Sequence, residues 1–282
     1  MSDQWAHPVP PTAPGYEPPE PERNDEPEHW LKRTFGPIVL VGLLLFKFGK
    51  AGILLVAKGK FFITGLSMIV SIGAYTLFWG LPFAVGLVVL LFIHESGHAI
   101  QMKREGMHVG GMAFIPFLGA VVWSGELEND VLAEARVGLA GPIVGSLGAA
   151  AALIPYALGG SDFWLALAYF GFFLNLFNLI PVTPFDGGRA VAALSPWMWF
   201  VGLAMMAGFL FWRPNPFVFL FLLLGAFDVY RRWKERKEGG EQSKAYYKVS
   251  KRNRAFVGVV YIGLALALLA AMNASYIDPD TL

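Results

Sequence analysis

Several apolar segments of this sequence are long enough to cross a lipid bilayer, and they constrain the fold more than any other feature. A transmembrane helix needs about 20 consecutive apolar residues. Hydrophobic residues make up 55% of the 282 residues and charged residues only 15%, far from the averages of soluble domains. Because backbone polar groups must be satisfied internally in lipid, the sequence predicts an all-α polytopic membrane protein.

The apolar segments predict about six or seven transmembrane helices. The fifth segment is divided at Arg213-Pro214-Asn215-Pro216, where two prolines interrupt the helix. The predicted spans are 61–79, 81–103, 138–158, 163–181, 197–229 and 255–273. Residues 37–57 are also apolar, but Lys47 and Lys50, together with Gly49 and Gly52, interrupt the segment in its middle, so an interfacial or re-entrant helix is expected there.

Charge and cysteine content exclude several classes of site. The formal net charge is only +1, which gives no global field for nucleic acid, so no nucleic-acid partner is expected. The sequence has no cysteine, which excludes disulfides, cysteine nucleophiles and thiolate metal sites. A metal ion in this protein must be held by imidazole and carboxylate groups.

One predicted span contains His94-Glu95-Ser96-Gly97-His98. Two histidines four residues apart project from the same face of a helix and can bind one zinc ion. The glutamate after the first histidine can act as a general base toward water. Ionisable groups inside a membrane segment are costly and are functional candidates by default. His7 and His29 lie in the polar N-terminal tail and are not expected to be ligands.

A second group of residues lies at the end of a later span, from Asn178 to Gly188. Pro181 and Pro184 should end the helix, and Gly187 and Gly188 allow the chain to turn closely against its neighbours. Asp186 would then lie on distorted backbone at the same depth as the histidines. A catalytic zinc site needs a third protein ligand and an open position, and Asp186 is the candidate for that ligand.

The two motifs together resemble the site-2 protease family of intramembrane zinc metalloproteases. The similarity rests on His94 to His98, on the pattern from Asn178 to Gly187, and on Ala140-Gly141-Pro142 between them. It implies that His94, His98 and Asp186 bind one Zn²⁺, that Glu95 is the catalytic base, and that Asn178 contacts the substrate chain. It also implies regulated intramembrane proteolysis of single-span membrane proteins.

Two alternatives remain at this stage. A membrane zinc protease could use a glutamate as third ligand, and Glu126 or Glu134 could supply it. The histidines could also serve a non-enzymatic zinc-binding transporter or scaffold, although Glu95 lies where hydrolysis needs a base and transport needs none.

Lysine and arginine cluster at Lys58 and Lys60, Lys103 and Arg104, residues 231–237 and residues 248–254, and these loops are expected to be cytoplasmic. At 1.5 Å per residue, His98 would lie roughly 8 Å and His94 roughly 14 Å before Lys103, so the site is expected toward the cytoplasmic side of a multi-pass protein.

Between Lys103 and the next span, residues 108–123 predict a re-entrant β-like hairpin beside the site.

These features predict six regions and no particular oligomeric state. The regions are a disordered acidic and proline-rich tail (1–33), an interfacial or re-entrant helix (34–60), a catalytic transmembrane core (61–190), additional transmembrane helices (191–230), a basic cytoplasmic linker (231–253), and a last transmembrane helix with a short tail (254–282).

Overall fold

The computed structural model describes residues 59–126 and 128–277. These residues form ten helices and two strands: α1 (Lys60–Trp79), α2 (Leu81–Arg104), β1 (Val109–Ile115), β2 (Gly119–Ser124), α3 (Val131–Ala151), α4 (Leu153–Ala157), α5 (Asp162–Asn178), α6 (Asp186–Ala192), α7 (Trp197–Trp212), α8 (Pro216–Glu238), α9 (Gly240–Tyr246) and α10 (Lys251–Ala274). The predicted tail at 1–33, with His7 and His29, the predicted helix at 37–57 and the last five residues lie outside the described residues.

Four helices of the described residues are long and apolar enough to cross a membrane: Phe61–Trp79, Leu81–Arg104, Val131–Ala157 and Lys251–Ala274. Trp197–Trp212 is a shorter apolar helix. Many large apolar side chains on these helices are exposed, such as Phe61, Leu147 and Phe211, which is the surface expected of a protein surrounded by lipid. A mostly helical membrane protein with a small sheet is therefore confirmed. By helix length and hydropathy, the described residues contain four candidate spans, fewer than the six or seven predicted.

α2 and α3 form the centre of the molecule and cross at very short range. A Cβ atom on Gly97 of α2 would lie 2.4 Å from the carbonyl oxygen of Ala140 in α3. A Cβ on Gly148 of α3 would lie 2.8 Å from a side-chain carbon of Ile93 in α2. Small residues on both helices thus bring the two backbones together, and the histidines of α2 come to face α3.

α3 begins at Val131, seven residues before the predicted span at 138. Asp130 caps the helix by accepting a hydrogen bond from the Ala133 N–H at 2.7 Å. The first two turns carry Glu134 and Arg136, which lower the hydropathy of this segment, so the predicted apolar span did not include it. Both side chains are paired with charges elsewhere, Glu134 with Arg232 and Arg136 with Glu105.

β1 and β2 pair antiparallel, with Met112 opposite Val122 and Ile115 opposite Gly119. The predicted extended hairpin over 108–123 is therefore present. One edge of β1 is bound to α1: the Thr64 hydroxyl donates to the Met112 carbonyl at 2.8 Å, and the Phe114 N–H donates to the Ser67 hydroxyl at 3.1 Å. Side chains of α1 thus satisfy the outer edge of the hairpin.

α5 ends at Asn178, ahead of Pro181, and the chain is non-helical up to Phe185. α7 and α8 are separated at residues 213–215, as the prolines predict. α8 continues to Glu238, so the first part of the predicted basic linker is helical. Lysine, arginine and glutamate are good helix formers, and the contact of Arg232 with Asp228 is an i,i+4 pair that supports this extension.

Candidate metal centre

α2 brings His94 and His98 together at its buried face. Their Nε2 atoms are 3.1 Å apart and their ring centroids 4.9 Å apart. Both side chains are buried, with 5% and 3% of the residue surface exposed. The i,i+4 spacing on one helix face is the reason for this proximity, and the sequence predicts it correctly.

Asp186, at the start of α6, completes the group. Its Oδ2 atom lies 3.0 Å from His94 Nε2 and 3.2 Å from His98 Nε2. The carboxylate is buried, and the three residues form the one cluster of potential metal ligands found among the described residues. The structure therefore brings the three predicted ligands together although Asp186 is 92 residues from His94.

The opposite nitrogen of each imidazole has its own partner. His94 Nδ1 lies 2.8 Å from Asn175 Oδ1, and His98 Nδ1 lies 2.8 Å from the Val137 carbonyl oxygen. The Asn175 amide nitrogen donates to the Gly171 carbonyl at 2.8 Å, which assigns the Oδ1 atom toward His94. Since both partners are acceptors, both Nδ1 atoms carry the proton and both Nε2 atoms present lone pairs.

Three electron-pair donors, two Nε2 atoms and one carboxylate oxygen, thus converge on one point with no proton assigned between them. This arrangement is repulsive unless a cation or extra protons occupy its centre. A tetrahedral zinc ion about 2.0–2.1 Å from each ligand would separate its ligand atoms by roughly 3.3 Å, close to the distances of 3.0 to 3.2 Å between His94, His98 and Asp186. The site fits zinc in both donor type and spacing.

Two glycines of α3 make room for this group. A Cβ on Gly141 would lie 2.1 Å from His98 Nε2, and a Cβ on Gly145 would lie 2.2 Å from Asn175 Oδ1. Both distances are far below any real contact, so a side chain at either position would displace a residue of the site. Gly141 belongs to the Ala140-Gly141-Pro142 sequence, and its role is to let the imidazole lie against the helix backbone.

Glu95 is buried next to the metal-ligand cluster. Only 5% of its surface is exposed, and its carboxylate interacts electrostatically with His94, His98 and Asp186. It also interacts with the Val122 backbone of β2. A carboxylate in this position can accept a proton from a water molecule at the cluster, which is the task predicted for it.

The segment before Asp186 has the close packing that its glycines and prolines predict. A Cβ on Gly187 would lie 2.2 Å from the Leu179 carbonyl oxygen, and a Cβ on Gly188 would lie 2.2 Å from the Thr183 nitrogen. Pro181 is buried and Pro184 is exposed. The two glycines therefore let α6 start directly against the turn that precedes it.

Asn178 and Asn175 lie one turn apart on α5 but have different surroundings. The Asn178 amide donates to the Leu174 carbonyl of its own helix at 3.0 Å and is half-buried, so it is not among the groups that contact the ligands. Its predicted contact with substrate remains a prediction. Asn175, which holds His94, is the residue that sequence reasoning missed, and the signal for it is a polar side chain within an apolar span.

The two glutamates considered as alternative third ligands have other partners. Glu126 is exposed and lies 2.7 Å from His108 Nδ1, and this hydrogen bond holds the pKa of the Glu126 carboxyl below its usual value. Glu134 is buried, where it pairs with Arg232 at 2.8 Å and accepts a hydrogen bond from the Tyr246 hydroxyl at 2.8 Å. Neither belongs to the cluster of potential ligands.

Comparison with known proteins adds an independent observation. Residues 82–160 match the family model described as Peptidase family M50. The chain is 31% identical over 129 residues to the protein named zinc metalloprotease MJ0392 of Methanocaldococcus jannaschii, covering 44% of this chain and 37% of that protein. It is 32% identical over 137 residues to the protein named "Putative zinc metalloprotease Rip3" of Mycobacterium tuberculosis, covering 44% and 34%. The alignments thus span about a third of the length of these relatives.

Proposed function

We propose that the chain is an intramembrane zinc metalloprotease. The match of residues 82–160 to the Peptidase family M50 model supports this proposal and the predicted resemblance to site-2 proteases. The observation that carries the proposal is the convergence of His94 Nε2, His98 Nε2 and Asp186 Oδ2 within 3.2 Å, with the Glu95 carboxylate buried beside them. The proposed reaction is hydrolysis of a peptide bond within or near a transmembrane segment.

His94, His98 and Asp186 would hold the ion. Zinc bound there supplies Lewis acidity, which activates water and polarises a carbonyl group. Glu95 takes a proton from the attacking water and passes it to the departing amine, so one carboxylate acts first as base and then as acid. Asn175 and the Val137 carbonyl keep both imidazoles in the tautomer that binds the metal.

A substrate strand has one suitable edge beside this site. Since Met112 and Phe114 of β1 direct their backbone groups toward α1, the opposite residues Val122 and Ala120 direct theirs away from β1. The Val122 backbone interacts with the Glu95 carboxylate. An unwound substrate segment that pairs with β2 would therefore lie next to the base, as in β-strand addition.

The expected substrates are single-span membrane proteins in the lipid bilayer. α2 carries the site within a helix that is long and apolar enough to span the membrane, and the positive charges of Lys103 and Arg104 in its last turn support a cytoplasmic position for that end. We place the site toward the cytoplasmic side on this basis. Counting α5, α7 and α8 with the four clear spans gives seven transmembrane helices, in agreement with the six or seven expected from the sequence. Cleavage would free a cytoplasmic fragment, as in regulated intramembrane proteolysis.

The Glu95→Gln variant tests the proposal directly. The amide has the shape of the carboxylate but accepts no proton, so zinc binding is expected to persist while cleavage of a model single-span substrate falls at least about 100-fold. Zinc content and cleavage of the purified protein in lipid nanodiscs are the measurements. His94→Ala serves as the control that should lose both. Unchanged cleavage by Glu95→Gln would refute the assignment and favour a zinc-binding scaffold or transporter.

A further inference from the structure

The segment between α5 and α6, residues 179–185, carries the chain into Asp186 and is here named the ligand loop. It is not helical, yet Leu179, Val182 and Phe185 are each exposed by 5% or less. Buried backbone outside regular structure must find hydrogen-bond partners, most strictly at membrane depth. The partners of the ligand loop therefore determine how firmly Asp186 is held.

Three helices that follow the ligand loop each supply one hydrogen bond, to the loop itself or to the first turn of α6. The Tyr261 hydroxyl of α10 donates to the Leu179 carbonyl at 2.5 Å. The Trp199 indole N–H of α7 donates to the Gly188 carbonyl at 2.9 Å. Both side chains are buried, so one hydrogen bond holds the first residue of the ligand loop and the other holds the first turn of α6, which begins at Asp186.

α8 holds the middle of the ligand loop. The Thr183 hydroxyl donates to the Asp228 carboxylate at 2.5 Å. Asp228 in turn accepts a hydrogen bond from Arg232 Nε at 2.7 Å, and Arg232 Nη1 lies 2.8 Å from the Glu134 carboxylate of α3. Thr183 is thus fixed by a carboxylate that has its own charged partners and little freedom to move.

Glycines let two of these helices press against the ligand loop. A Cβ on Gly202 of α7 would lie 2.5 Å from the Pro181 carbonyl oxygen, and a Cβ on Gly225 of α8 would lie 2.7 Å from the Thr183 carbonyl oxygen. The helix backbones therefore contact the loop backbone directly. Although Pro184 is exposed, the rest of the loop lies against α7, α8 and α10 and cannot shift unless one of them moves.

We infer that Thr183, Trp199 and Tyr261 are positioning residues that fix the ligand loop so that the Asp186 carboxylate meets the two imidazoles. A metal site tolerates errors of only about 0.5 Å in its ligands, and Asp186 is the ligand that arrives on a loop. The inference rests on the proposed function in taking Asp186 as a metal ligand. It makes α7, α8 and α10, which lie outside the matched residues 82–160, part of the metal centre.

Tyr261→Phe and Thr183→Val test the inference, because each removes one hydrogen-bonding group and preserves most of the side-chain shape. Each is expected to raise the zinc dissociation constant about 10-fold, as for other groups that support metal ligands. The visible spectrum of the Co²⁺-substituted protein should change as the ligand geometry loosens. Thr183→Ser, which keeps the hydroxyl, should restore both the affinity and the spectrum.

Matched controls separate positioning from general damage. Tyr230→Phe removes an exposed hydroxyl from α8, and Thr76→Val removes a hydroxyl that donates within its own helix, so both should leave zinc affinity unchanged. Wild-type affinity and spectrum in Tyr261→Phe and Thr183→Val would overturn the inference. If Thr183→Val does not fold, Tyr261→Phe alone decides. If the variants change zinc affinity as expected but the wild-type protein cleaves no single-span substrate, the proposed function is refuted and the inference stands.

Discussion

At the scale of single residues, the metal centre depends on which atom of each side chain faces the ion. The Nδ1 partners of His94 and His98 assign both Nε2 lone pairs to one point. One of these partners is a backbone carbonyl, which mutation cannot remove. The other is the Asn175 side chain, whose own amide nitrogen is anchored to Gly171, so its contribution can be measured.

Asn175→Ala is expected to weaken zinc binding by about 10- to 100-fold, because His94 loses the acceptor that fixes its tautomer and ring orientation. Asn178→Ala is the matched control, one turn away on the same helix, and its amide bonds only to Leu174 of α5. It should leave zinc affinity unchanged and raise KM for a single-span substrate. Chelator competition and cleavage kinetics distinguish the two variants. Equal zinc affinities would contradict the role given to Asn175.

At the scale of elements, the site requires α2 and α3 to cross at a distance that only small residues permit. Gly97 contacts the Ala140 carbonyl region, and Gly141 lies against the His98 ring. Interfaces between membrane helices are typically built from such residues. The crossing therefore does two tasks, since it packs the core and leaves the space that the imidazole occupies.

Gly141→Ala is expected to reduce zinc affinity more than about 10-fold, because the new methyl group would lie 2.1 Å from His98 Nε2 and must displace the ring. Gly73→Ala in α1 is the control, since a Cβ there has no neighbour within 4 Å, and alanine in a helix is more stable than glycine by about 0.5–1 kcal/mol. Thermal unfolding and zinc titration report both effects. Undiminished zinc affinity in Gly141→Ala would mean that the ring does not bind as described.

At the scale of the whole molecule, one ion would connect α2 to α6, whose ligands are 88 and 92 residues apart in sequence. A ligand that binds only the folded state stabilises it by mass action. Metal binding and global stability are thus expected to be coupled in this protein.

Removing zinc with a chelator should lower the unfolding temperature, since free zinc at 100 times its dissociation constant stabilises the folded state by about 2.7 kcal/mol. Asp186→Ala should abolish this difference, while Glu126→Ala should keep it, because Glu126 is exposed and paired with His108. Bound zinc measured on the same samples gives a second readout. The opposite pattern would assign the third ligand to Glu126.

Much of this site could be predicted from local sequence because helix geometry is periodic. The spacing of His94 and His98 places both on one helix face wherever the helix lies, and Pro181 ends α5 by removing a backbone donor. The hairpin also follows from local features, since residues 108–123 are apolar, β-prone and too broken for two helical crossings.

Contacts between distant segments were decided by the tertiary structure alone. Asn175 has no spacing relation to His94, and the hydrogen bonds of Tyr261 to the ligand loop and of Trp199 to α6 join residues that follow no shared period. The start of α3 at Val131 also depends on distant contacts, because the buried Glu134 of its first turn pairs with Arg232 and accepts a hydrogen bond from Tyr246. Sequence alone determined which side chains can bind the metal and how the two histidines are spaced on their helix. The packing of the helices determined which residues hold those ligands in place, because contacts between distant segments depend on three-dimensional proximity.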